Sequence, residues 1–149
     1  MKKVWLALAF AALAFCAHSQ SAEKISEIIE GDEISYEQAA WLAYSYAQED
    51  GESASYEQAL QAVIDKGWIA SGAVAQNPIS LKNLCGVFAK ASGLKCGLFY
   101  RISKADRYAF KELKANGTLD SAADPSMTVS GQNAVSILNA CAKKAGGSK

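Results

Sequence analysis

Apolar residues recur at helical spacing along most of the chain. Tyr56, Ala59, Leu60 and Val63 fall on one stripe that stops at Gly67, and Leu81, Leu84, Cys85 and Phe88 form a second. Ala105, Ala109 and Leu113 make a third, and Ala134, Ile137, Leu138 and Cys141 a fourth. The pentapeptide SYEQA occurs at 35–39 and again at 55–59. In both copies the serine stands three residues before a glutamine, Gln38 or Gln58, which is the pattern of a capping box at a helix start. Ser80 with Asn83 and Ser130 with Asn133 are weaker versions, and Ser103 with Asp106 reads as a further start.

The two SYEQA copies are not two copies of one unit. A gapless register appears when 59–88 is laid over 109–138, an offset of 50 residues. Ala59 then meets Ala109, Val63 meets Leu113, Gly67 meets Gly117, Ile69 meets Leu119, and Ile79-Ser80 meets Val129-Ser130. These are the positions a fold would fix: apolar core places, a glycine after a helix and a capped restart. On this register the first SYEQA opens a second helix and the other opens a first helix. The pattern predicts an all-α fold of two full helix–loop–helix units (55–94 and 103–144) and one partial unit (34–52). An N-terminal segment at 20–33 precedes them, with a shortened helix near Glu23–Glu30. The second helices are expected to form the shared core, because one helix pair alone cannot bury its stripe.

The first 19 residues read as a signal peptide: Lys2 and Lys3, an uncharged run from Val4 to Ala17, and small residues at Ala17 and Ser19. The run is shorter than the roughly 20 residues a membrane span needs. A rival reading makes Cys16 a lipid acceptor, against which Phe15 is large for the position before such a cysteine. Cleavage after Ser19 would remove His18, the one histidine, and with it His-based catalysis and His metal sites.

Cys85, Cys96 and Cys141 would remain, an odd number without Cys-x-x-Cys spacing, which favours neither a zinc site nor a thioredoxin-like motif. The acidic stretch around Glu49, Asp50 and Glu52 lacks the ligand order of an EF-hand. No cofactor and no metal are expected. The net charge of zero hides a division: residues 23–65 carry eleven acids against Lys24, whereas 66–149 carry twelve bases against Asp106, Glu112, Asp120 and Asp124. Such asymmetry suits an anionic partner at the basic end, or attraction between the halves.

"AVIDKG" (62–67), "GWIASG" (67–72) and "NPIS" (77–80) resemble the unit of the S-layer homology domain. That family has three units, each with a helix ending near a Gly-hydrophobic-x-x-Gly turn, a proline-containing loop, and a second helix opened by Ile-Thr-Arg-Ala-Glu. The resemblance runs from about Ile34 to Cys141. "YRISKADRYAFKELKANGTL" (100–119) is also similar to small exported repeat proteins of spirochaetal envelopes. The resemblance implies a helical repeat module at a bacterial envelope. The arginine that helps the family bind anionic wall polymer is matched here by Tyr36, Leu81 and Gly131, none of them basic, although Lys82 follows Leu81.

Lys104, Arg107, Lys111 and Lys114 step by three, four and three, and would form one basic stripe on a helix. With Lys82 and Trp68 they are the candidate ligand-binding residues, the lysines and Arg107 for phosphate or carboxylate groups and Trp68 for a sugar face. A solvated helix face is the competing account of the stripe, and Trp41, within the apolar "AAWLAY", belongs to the core. The sequence therefore predicts a non-catalytic exported protein of the periplasm or cell envelope, a structural or binding module for an anionic cell-wall polymer or, alternatively, a helical adaptor that docks a periplasmic or outer-membrane protein. No nucleic acid is expected as a partner, and a membrane only if Cys16 is lipidated.

Overall fold

Four serines open four of the helices. The computed structural model describes residues 20–147, so Cys16, His18 and the proposed leader lie outside the described residues. Helix α1 covers 20–30, and α2 (Tyr36–Ala47), α3 (Tyr56–Asp65), α4 (Leu81–Ser92) and α7 (Gly131–Gly146) follow Ser35, Ser55, Ser80 and Ser130 respectively. The short α5 (Leu98–Ser103) and α6 (Asp106–Ala115) lie between α4 and α7, and a single 3-10 turn occupies Gly51–Ser53. The described chain is all-α; its one β-type contact is an isolated antiparallel bridge between Ser35 and Pro78.

Ser35 and Ser55 form reciprocal capping boxes with Gln38 and Gln58, whereas Ser80 and Ser130 accept only the Asn83 and Asn133 amides, each at 3.4 Å. Asparagine is too short to reach back to the cap amide, which accounts for the difference. Ser55→Ala should cost about 1 kcal/mol, since Ser55 Oγ accepts the Gln58 amide at 3.1 Å. A thermal melt should show the loss, and Ser55→Asp should restore most of it; equal melting of Ser55→Ala and wild type would exclude the cap as a stabilising contact.

The offset of 50 residues holds in the backbone. Helices α3 and α6 start 50 residues apart, as do α4 and α7. Gly67 and Gly117 both end a helix with positive φ, 69° and 78°, where a side chain would be strained. The first unit is fuller than its sequence suggests: α1 extends to residue 20, beyond the expected Glu23–Glu30, and buries Ile28.

Each first helix lies against the second helix of the preceding unit, α3 on α2 and α6 on α4, while α2, α4 and α7 touch one another at the centre. The helix starts are tied together in the same cyclic sense. The first amide of each second helix is an orphan donor, and each finds a carbonyl in another unit. Tyr36 N–H donates to Asn77 O (3.0 Å), Leu81 N–H to Met127 O (2.8 Å) and Gly131 N–H to Gly31 O (3.0 Å). The residues just before the caps interlock as well, Ile34 N–H to Val129 O and Ile79 N–H to Ile34 O. All three of these apolar side chains are buried.

Two expectations change in the third unit. Ser103 does not cap a helix start: it is the last residue of α5, its hydroxyl donates to Phe99 O, and the cap of α6 is Ala105. Lys104 consequently sits in a turn with φ of 53°, off the α6 surface.

Candidate basic cleft

Three helix ends meet around an open cleft of about 680 Å³. The end of α3 contributes Lys66, Gly67 and Trp68; the last turns of α4 and the residues after it contribute Lys90, Gly93, Leu94 and Lys95; α5 and its cap contribute Tyr100, Arg101 and Lys104. Gly67, Gly93 and Lys104 all have positive φ. These left-handed residues end the three helices abruptly and leave room between them.

The lining holds five cations and no acid. Lys90 is already engaged: its ammonium pairs with Asp106 at 2.9 Å and reaches the Trp68 carbonyl at 3.4 Å. The three helix C-termini carry about half a negative charge each at most. After both corrections the cleft retains a surplus of roughly two to three positive charges. Aromatic faces hold two of the cations in place. Lys66 Nζ lies 5.6 Å from the Trp68 ring centre, and Lys104 Nζ lies 5.2 Å from that of Tyr100. Burial, and to a lesser extent Cys96, Asp106 and Cys141 nearby, raise the Tyr100 phenol above its ordinary range, so it stays neutral.

The sequence-predicted site residues divide. Trp68 and Lys104 line the cleft together. Arg107 is exposed and stacks on its neighbour Tyr108 at 4.7 Å. Lys114 is half-buried and donates to Ala123 O at 3.1 Å, tying α6 to the following loop. Lys111 is exposed on α6, and Lys82 is exposed at the start of α4. The expected four-residue stripe is therefore at most three residues long, because Lys104 is not helical with the others.

Sequence reasoning missed Lys66, Lys90, Lys95, Tyr100 and Arg101. A signal for them existed: no Asp or Glu occurs from Lys66 to Ala105, and five of the six cations in that stretch line the cleft.

The three cysteines are free and buried. Burial pushes the Cys96 thiol up to about 11 and the Cys141 thiol up to about 12, and it raises Cys85 further. Thiols held protonated at neutral pH are poor nucleophiles and poor metal ligands.

Trp41, as expected, is core: it is buried, and its indole N–H donates to Ala54 O at 3.1 Å. No described helix is long and apolar enough to cross a membrane. Compared with known proteins, the chain matches no family model, no curated protein and no solved structure.

Proposed function

We propose that this chain is a non-catalytic envelope module that binds an anionic polymer, and that the basic cleft is where it binds. The observation that carries this reading is the cleft itself: five cations, a tryptophan, a buried tyrosine and no acidic lining. Arg101 offers a planar fork for phosphate or carboxylate, and Lys66, Lys95 and Lys104 offer point charges around it. Trp68 supplies an apolar face suited to the C–H surface of a sugar ring. A glycan bearing phosphodiester or uronate groups satisfies both features. The apparent leader and the resemblance to S-layer homology units support an exported location. The cleft differs from the position of the arginine in that family, whose counterparts here, Tyr36, Leu81 and Gly131, stand at the starts of α2, α4 and α7.

The test is sedimentation of the purified protein with isolated peptidoglycan sacculi at low and high salt. A triple Lys66→Ala, Arg101→Ala, Lys104→Ala variant should bind roughly 150-fold more weakly, on about 1 kcal/mol per exposed cation. Wild-type binding should fall as salt rises, because each ionic contact is screened. Lys82→Ala with Lys111→Ala should bind as the wild type does. Binding lost in the second variant and kept in the first would move the site to α6 and the start of α4, and no binding at any salt would retire the proposal.

A further inference from the structure

Helix α5 carries an apolar surface that stays largely exposed among the described residues. Ile102, Phe99 and Leu98 are 75%, 68% and 65% exposed, the three most exposed large apolar side chains among the described residues. Their spacing of three and four puts all three on one side of the helix. Tyr100, on the other side, is 2% exposed and anchors α5 to the body. The helix packs against α6. Phe99 is held in place by stacking on Tyr108 at 5.7 Å, with the Arg107 guanidinium against the same tyrosine.

Cations lie near this apolar surface in the chain. Lys95, Arg101, Lys104 and Arg107 are all exposed and lie within α5 or a few residues of its ends. Glu112, which lies at this end of the molecule, accepts the Gly97 amide at 3.4 Å where α5 starts. Contiguous exposed apolar side chains mark an interaction surface. Here the three side chains stand 65–75% exposed on one short helix. Exposed Phe, Leu and Ile side chains on a short helix whose own and neighbouring residues are exposed cations suit a contact lying in a lipid–water interface.

We propose that α5 docks this protein onto an anionic lipid bilayer. Leu98, Phe99 and Ile102 enter the headgroup–acyl boundary, while Lys95, Arg101, Lys104 and Arg107 meet lipid phosphates. The contact needs no lipid chain on Cys16 and is separate from polymer binding in its apolar half, although Arg101 and Lys104 serve both surfaces.

The test is flotation with vesicles of phosphatidylcholine containing 30% phosphatidylglycerol, and with phosphatidylcholine alone, using the protein in the form the cell accumulates, its N-terminus read by intact mass. Wild type should float with the anionic vesicles and at least tenfold more weakly with the neutral ones. A Leu98→Ser, Phe99→Ser, Ile102→Ser variant should lose at least thirtyfold in partitioning while melting within a few degrees of wild type, since it removes little from the core. Arg101→Ala with Lys104→Ala should lose about twenty-five-fold, on roughly fivefold per cation. The proposal is overturned if the apolar variant floats as well as wild type. It is also overturned if wild type ignores both vesicles and sediments as a dimer that the apolar variant dissociates, which would make the apolar surface a contact between copies. The apolar variant should keep sacculus binding, so failure on vesicles leaves the polymer reading intact, and failure on sacculi leaves this one intact.

Discussion

Gly131→Ala should lower the melting temperature by about 10 °C or more, the counterpart of about 3 kcal/mol or more in a domain of this size. Gly131 is the first residue of α7, and its amide donates to Gly31 O at 3.0 Å. A Cβ added there would collide with the Ile28 carbonyl oxygen and lie 2.5 Å from its carbon. The obstacle is main chain, so no rotamer change relieves it and α1 has to withdraw. Withdrawal breaks the amide contact, worth about 1 kcal/mol, and exposes Ile28, which is fully buried. This junction is where the first and third units close on each other, so the loss reaches both ends of the chain. Gly86→Ala is the instructive contrast. Its Cβ would meet the Asp106 side chain, with Asp106 Cβ at 2.6 Å. The Asp106 carboxylate can rotate away, at the cost of the Lys90 pair, but its Cβ cannot, so α6 must also give slightly and about 2 kcal/mol is expected. Gly146→Ala meets nothing within 4 Å and should change little. Melts of the three variants by circular dichroism would check the order. A Gly131→Ala protein within about 1 kcal/mol of wild type would mean that the closure between α1 and α7 contributes little.

The sequence carried the repeat and its helix starts clearly, because both depend on local chemistry. Ser35, Ser55, Ser80 and Ser130 are caps in the structure, the stripes of α4 and α7 are buried, that of α3 is buried apart from half-buried Tyr56, and Gly67 and Gly117 are stops. What stayed hidden was non-local or locally disguised. Register alignment shows which residues are equivalent, and it is silent on which neighbour each helix meets, so the packing of α3 on α2 and of α6 on α4 could not be read from it. Helix α5 was missed because six residues with three exposed apolar side chains give no readable period. Its end was disguised too: Lys104 occupies a left-handed position where glycine or asparagine is the usual marker. That one residue made Ser103 look like a cap and lent the basic stripe a fourth member. The cleft was illegible as a site because its cations come from the ends of three helices and the segment after α4, and only the fold gathers them. Trp68 and Lys104 were singled out for other reasons and proved to be neighbours in it.

The charge division has a structural counterpart in the first unit. Lys24 is the one base between residues 23 and 65. Its ammonium donates to Ala54 O at 2.7 Å and lies 5.3 Å from the Trp41 ring centre and 5.6 Å from that of Tyr56. The acid-rich half thus places its one cation at the junction of α1, α2 and α3. Glu27, on α1, accepts the Tyr56 hydroxyl at 3.3 Å. Burial and then Glu27 raise the Tyr56 phenol, which keeps it a donor at any pH the fold meets in a cell.

Trp41→Ala should cost about 4 kcal/mol, at the upper end for single core substitutions. Trp41 is 1% exposed and heads the largest fully buried side chains. It meets Tyr56 edge-to-face, with ring centres 6.1 Å apart and planes at 87°, a geometry worth roughly 0.5–1.5 kcal/mol beyond burial. Truncation removes that contact and the platform under Lys24, and the cavity forms beside the α2–α3 contact. Trp41→Phe separates packing from hydrogen bonding. It deletes the indole donor to Ala54 O, but that carbonyl keeps Lys24 Nζ, so no buried acceptor is orphaned. About 1–2 kcal/mol is expected, mostly for the smaller ring. Denaturant unfolding of both variants would measure the two costs. If Trp41→Phe proved nearly as damaging as Trp41→Ala, the indole hydrogen bond would be the contact that holds α2 to the segment before α3. The expected wide gap assigns that role to the buried ring and to the lysine above it.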